Sequence, residues 1–166
     1  MFAVLLMTLA ALAQTPIQGS SRGSQVAPER QGGPLGLGIA VGAPSGFTGK
    51  YWLGNWSALQ FSAGGDSGVI GDLAATTDYV LQFRPFHTGV REVSVPMHIG
   101  AGANFGGNTD QDVVGRVLIG PRAVAGLSVL FRDLPVGIYV ETAPTFYLIP
   151  KFTWSIDGQI GIRYYM

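Results

Sequence analysis

Beyond residue 34 apolar side chains recur at every second position, the spacing at which a strand places them on one face. Leu35, Leu37, Ile39, Val41 and Ala43 alternate with Gly36, Gly38, Ala40 and Gly42 up to a Pro44-Ser45 turn. Phe47, Gly49, Tyr51 and Leu53 alternate with Thr48, Lys50 and Trp52 and stop at Gly54-Asn55, a turn signal. Leu59, Phe61 and Ala63 flank Gln60 and Ser62, before a loop from Gly64 to Asp72. Tyr79, Leu81 and Phe83 oppose Asp78, Val80, Gln82 and Arg84, and Pro85 ends that run. Val95, Met97, Ile99, Ala101, Ala103 and Phe105 oppose Ser94, Pro96, His98, Gly100, Gly102 and Asn104. Val117, Ile119, Pro121, Ala123, Ala125 and Leu127 oppose Arg116, Leu118, Gly120, Arg122, Val124 and Gly126, with Pro121 removing one ladder hydrogen bond. Val136, Ile138, Val140 and Thr142 oppose Gly137, Tyr139, Glu141 and Ala143. Last, Trp154, Ile156, Gly158, Ile160, Ile162, Tyr164 and Met166 oppose Ser155, Asp157, Gln159, Gly161, Arg163 and Tyr165. The pattern predicts eight strands and no helix over this stretch.

Alternation alone fits both a soluble barrel, apolar face inward, and a membrane barrel, apolar face to lipid. The second face separates them. It carries Lys50, Asp78, Arg84, Arg116, Arg122, Glu141, Asp157 and Arg163 together with Gln60, Gln82, His98, Asn104 and many glycines. On a solvent surface those glycines would weaken the strands with no packing return. Lining a narrow interior they make room, and opposite charges pair across the lumen. The expected fold is an all-β, eight-stranded antiparallel up-and-down transmembrane barrel over residues 35–166. Most segments approach the 9 to 11 residues, roughly, that cross a bilayer when tilted. With both termini on one side, the turn at Pro44 and the loops 64–72, 106–112 and 144–151 fall outside, and 54–57, 85–92 and 131–135 inside. Aromatics cluster at strand ends, with Phe47, Phe105, Phe146, Tyr147 and Trp154 at one rim and Trp56, Phe83, Phe86, Phe131 and Tyr164 at the other, as in an aromatic girdle.

Composition sharpens this. Only 12% of the 166 residues are charged, ten basic and ten acidic, while 47% are hydrophobic and 25 are glycine. About 25% charge is usual for a soluble domain, so half that share leaves little to clothe a water-facing surface. Zero net charge removes the clustered basic footprint that nucleic-acid binding needs. Without cysteine there is no disulfide, thiolate metal site, thiol nucleophile or lipoprotein anchor. The start, FAVLLMTLAALA before Gln14, has the apolar core and small-residue cleavage site of a secretory signal peptide over residues 1–13, although no Lys or Arg precedes it. Residues 14–34, rich in Gln, Gly, Ser and Pro, read as a flexible leader.

The signal-like start, the barrel rhythm and the terminal strand QIGIRYYM resemble the small outer-membrane β-barrel proteins of Gram-negative bacteria, the class of the OmpA transmembrane domain and OmpX. The segments GLGIAVGAPSGFTGKYWLG and GQIGIRYYM also resemble a set of bacterial barrel proteins of unknown function. The resemblance spans about Leu35 to Met166 and is one of pattern more than of motif. It implies a last strand read by the barrel-assembly machinery through Ile160, Ile162, Tyr164 and the terminal Met166, which stands where the class has an aromatic. It implies outer-membrane lipid and lipopolysaccharide as surroundings, and a monomer.

Eight strands enclose an interior only just wide enough for side chains, which disfavours a diffusion porin. The eight inward charges are expected to form a structural ion-pair network, Glu141 pairing with Arg122 or Arg163 on adjacent strands. Buried unpaired ions cost several kcal/mol each. A lipid-modifying enzyme would need nucleophile, base and acid together, and Ser94, His98 and Glu141 supply the types only by scattering. No catalytic, cofactor or metal site is assigned. His98 is expected as a satisfied interior polar residue, and His87 with Arg91 and Glu92 in a turn. Asp66, Asp72, Asp110 and Asp112 fall in outer loops with no calcium-loop spacing. The rival readings are a narrow ion or solute channel, a soluble periplasmic ligand-binding barrel and a lipid-modifying enzyme.

Overall fold

The computed structural model describes residues 32–65, 73–83, 93–107, 117–131, 134–149 and 152–166. Nine strand segments run β1 (Leu35–Gly42), β2 (Ser45–Trp52), β3 (Ser57–Gly65), β4 (Leu73–Gln82), β5 (Val93–Ser94), β6 (Met97–Gly107), β7 (Val117–Phe131), β8 (Val136–Tyr147) and β9 (Thr153–Tyr165). Pro96, with no N–H to give the ladder, divides β5 from β6. Both segments pair with β7, at Ser94↔Leu130 and Met97↔Leu127, so they make one stave. Every pairing is antiparallel between chain neighbours, and β9 closes on β1 through Leu37↔Tyr164 and Ile39↔Ile162. The result is a closed barrel of eight staves, which leaves no sheet edge.

The stagger is read from the register. From Arg122, the partners Gly102, Asp78, Gln60, Lys50 and Gly36 lead one way round to Tyr165 on β9. The other way, Thr145 leads to Ser155 on the same strand, ten residues from Tyr165. Strands so staggered tilt by about 40° to the barrel axis.

Tight closure depends on glycine in two ways. At the β1–β2 turn, where the Ala43–Pro44 peptide is cis, Gly42 takes a φ of +135°, which an L side chain rarely adopts. Farther along, a Cβ on Gly161 would lie 2.6 Å from the Tyr139 ring, so the missing side chain lets that ring lie flat on the neighbouring strand.

The two faces divide as the alternation predicts. Ile39, Val41, Leu59, Tyr79, Ile99, Val140, Ile156, Ile160 and Ile162 all point outward and exposed. Lys50, Gln60, Asp78, His98, Asn104, Arg122, Glu141, Asp157 and Arg163 point inward and are buried. Strand ends differ from expectation. β4 begins already at Leu73: the small side chains of Ala74–Thr77 give little apolar contrast yet continue the in-out alternation. β7 runs on to Phe131 and β8 runs through Pro144 to Tyr147, where a loop was expected. Tyr147, assigned to the outer girdle, is fully buried inside. The signal segment, residues 14–31 of the leader and the acidic loop positions Asp66, Asp72, Asp110 and Asp112 lie outside the described residues, whereas the leader's end joins the barrel, the Pro34 carbonyl accepting from Trp52 N–H at 2.8 Å.

Candidate functional site: the polar interior

The inward positions of β2, β3, β8 and β9 build the centre of the interior. Arg163 on β9 lays its guanidinium 3.7 Å from the centroid of the Tyr139 ring. Its Nη2 donates to Thr48 Oγ1 at 2.7 Å and its Nη1 to Gln60 Oε1 at 3.1 Å. Gln60 passes the interaction on, its Nε2 donating to both oxygens of Glu141 at 2.8 and 2.7 Å. His98 Nε2 lies 3.2 Å from Glu141 Oε2. Glu141 therefore takes Gln60 and His98, not Arg122 or Arg163, as its direct partners. The sequence places Arg122 and Arg163 on the strands either side of β8, but the register sets Arg122 opposite Thr145 and Arg163 opposite Gly137. Each arginine is four residues along β8 from Glu141, and Gln60 fills the gap on the Arg163 side.

Around this centre the remaining inward groups are mostly held by neutral partners. Lys50 Nζ donates to Gln82 Oε1 at 2.9 Å and stands 4.4 Å from the Trp52 ring centroid. Gln159 Nε2 donates to Tyr139 Oη at 3.0 Å, and Tyr139 Oη donates to Thr48 Oγ1 at 3.0 Å. Asp157 accepts from Thr145 and Ser155 hydroxyls, both at 2.8 Å. Asn104 Nδ2 donates to Tyr147 Oη at 3.2 Å. The one arginine–carboxylate pair among the described residues is Arg122 with Asp78, Nε to Oδ1 at 3.2 Å. That pair is close but lacks hydrogen-bond alignment, since neither atom has a bonded partner.

Of the eight inward charges expected from the sequence, Lys50, Asp78, Arg122, Glu141, Asp157 and Arg163 are buried in the lumen. Arg84 and Arg116 lie outside the described residues, as do His87, Arg91, Glu92 and Phe86. Ile160, Ile162, Tyr164 and Met166 form an exposed outward row on and just beyond the last strand. Sequence reasoning places Gln60 and Thr48 in the inward phase of their strands but does not single them out as the groups that carry most of the contacts. It also treated His98 and Glu141 as scattered, whereas β6 and β8 bring them into contact. His98 Nδ1 has no bonded partner, so the ring is satisfied on one side only. Among the described residues no three His, Cys, Asp or Glu side chains are grouped to hold a metal.

No protein-family model and no curated protein sequence matches the chain. Among solved structures, the N-terminal β-barrel domain of OprF from Pseudomonas aeruginosa is similar, with a TM-score of 0.54 at 16% identity. The match covers 81% of this chain and 98% of that domain. With its eight closed antiparallel staves, the chain has the barrel fold of the OprF N-terminal domain.

Proposed function

We propose that the chain is an integral outer-membrane barrel with a structural or surface-interaction role, a lumen filled by its own side chains, and no catalytic activity. The carrying observation is the inverted distribution of polarity. Ile39, Val41, Trp154 and Ile156 are each 60% exposed or more, while Lys50 and Arg163 are 1% exposed. In water such an outer face would be one continuous apolar patch, far beyond the few hundred Å² that a soluble monomer tolerates. In lipid it is the favourable side. The filled lumen is supported by the Gln60–Glu141 hydrogen bonds, because β3 and β8 stand diametrically opposite in the ring of eight staves. Lipid and lipopolysaccharide are the partners this outer face suits. The barrel-assembly machinery would read the row Ile160, Ile162, Tyr164 and Met166, and the chain would act as a monomer.

Membrane fractionation combined with heat-shifted gel mobility tests the reading. The expected result is a membrane-bound band that migrates faster unheated than boiled. Recovery of folded monomer from the soluble periplasm without detergent contradicts it and restores the soluble ligand-binding barrel.

A further inference from the structure

The ladder between β7 and β8 is broken toward one end of their pairing, beyond Ala125↔Thr142. Ser128 N–H donates to the Pro96 carbonyl, and Leu148 N–H donates to the Ile119 carbonyl. Backbone polar groups alternate in direction along an antiparallel strand. Odd-numbered residues of β7 thus turn theirs to β8, and even-numbered residues of β8 turn theirs to β7. Pro121 and Pro144 both fall on this seam, one on each strand, and neither has an N–H to give. The ladder donors are therefore missing for two carbonyls, that of Phe146 opposite Pro121 and that of Ala123 opposite Pro144.

The consequence is visible in the pairing. Arg122↔Thr145 stands alone between Ala125↔Thr142 on one side and the Ile119↔Ile149 bridge on the other, where the register has slipped by one residue. By contrast β8 pairs with β9 without a gap from Val136 to Tyr147. From outside the break is lined mostly by small residues, Pro121, Ala123 and Ala125 on β7 and Ala101, Ala103, Thr142 and Gly158 around them, with Phe146 and Ile156 the larger side chains beside it. Directly inside it lies a group of buried polar atoms without bonded partners, namely Arg122 Nε and Nη1, both Asp78 carboxylate oxygens and Asn104 Oδ1.

We propose that the β7–β8 seam between Pro121 and Pro144 opens in the native state as a lateral gate in the barrel wall, joining the lipid side to the Asp78–Asn104–Arg122 cluster. The gate rests on the membrane reading above. What it admits must both donate and accept hydrogen bonds, since Arg122 and Asp78, though ion-paired at 3.2 Å, leave donors and acceptors without an aligned hydrogen bond, as does Asn104 Oδ1. Water or the polar end of a small amphiphile has that chemistry. Local opening is drawn from regions short of hydrogen bonds, and this seam is missing two ladder donors.

The test uses the full barrel in vesicles of phosphatidylethanolamine and phosphatidylglycerol, with N-ethylmaleimide as the probe. Val124 on β7 and Val80 on β4 are both buried and inward-facing, so Val124→Cys reports on the seam and Val80→Cys on an intact wall. Val124→Cys should label at least about tenfold faster, and adding Pro121→Val with Pro144→Val should bring it down to the Val80→Cys rate. Equal rates, or no effect of replacing the prolines, overturn the gate. Amide exchange on the unmodified chain gives the same answer without cysteine variants. Ala123 and Phe146, whose N–H groups face the seam, should exchange faster than Ala143 and Thr145, which face β9, and equal exchange overturns the proposal. Vesicle flotation is read first, and a chain that does not float overturns the membrane reading and the gate with it.

Discussion

Glu141 is the side chain on which the centre of the interior converges. It accepts from Gln60 through both oxygens and contacts His98, while Gln60 in turn accepts from Arg163. Glu141→Gln keeps the shape and removes the charge, so two charge-assisted contacts weaken together. The expected loss is about 2–3 kcal/mol of stability, read as a lower temperature for the gel-mobility shift in detergent, and unchanged unfolding would show that these contacts contribute nothing. Arg163→Lys is not a mild change here, because a lysine can neither stack flat on Tyr139 nor fork between Thr48 and Gln60. It should cost more than Lys50→Arg, whose position needs one donor to Gln82 and a cation over Trp52, and thermal unfolding of both variants checks the order. Which face each of these residues occupies was legible from spacing alone, because period two is a property of the single strand. Which residues meet was not. The ten-residue stagger moves Arg122 and Arg163 along the axis, away from Glu141, and no single strand records that stagger.

On the scale of strands, the outer row of β9 separates a lipid-facing wall from a water-facing one. Ile160 sits mid-strand and Met166 just past its end, both exposed. An arginine on the lipid face costs about 2–4 kcal/mol at the bilayer midplane and about 0–1 near an interface. Ile160→Arg should therefore destabilise the barrel in vesicles well beyond Met166→Arg, as measured by denaturant unfolding monitored through tryptophan fluorescence. Equal, small effects at both positions would mean that the row meets water. Strand existence was legible wherever apolar and polar side chains contrast, as in β6 and β9. It faded at Ala74–Thr77, where alanine and threonine fill both phases, and at Ser128–Phe131, where Leu130 turns inward and removes the contrast. Pro144 looked like the start of a loop because proline is rare within a sheet, yet β8 continues through it. The lost hydrogen bonds fall on the β7–β8 seam, and β8 keeps an unbroken ladder with β9.

For the molecule as a whole, the scarcity of charge acquires a location. The described charged residues of the strands lie inside, and the outward strand positions are aliphatic, aromatic, small or threonine. A low total of charged residues could belong to several kinds of protein, but this separation by face suits a barrel whose solvent is lipid. With Gln60 and Glu141 bridging opposite walls, the barrel should give no steady ohmic steps in planar bilayers, and regular steps would favour the narrow channel instead. The inside-out wall itself is tested most directly by spin labels at Ile39, Ile160 and Ile162 on the barrel reconstituted in vesicles, with collision rates compared for oxygen, which concentrates in lipid, and a water-soluble nickel chelate. The account predicts that oxygen dominates at all three positions. Dominance of the nickel chelate there would place the apolar face in water and contradict it.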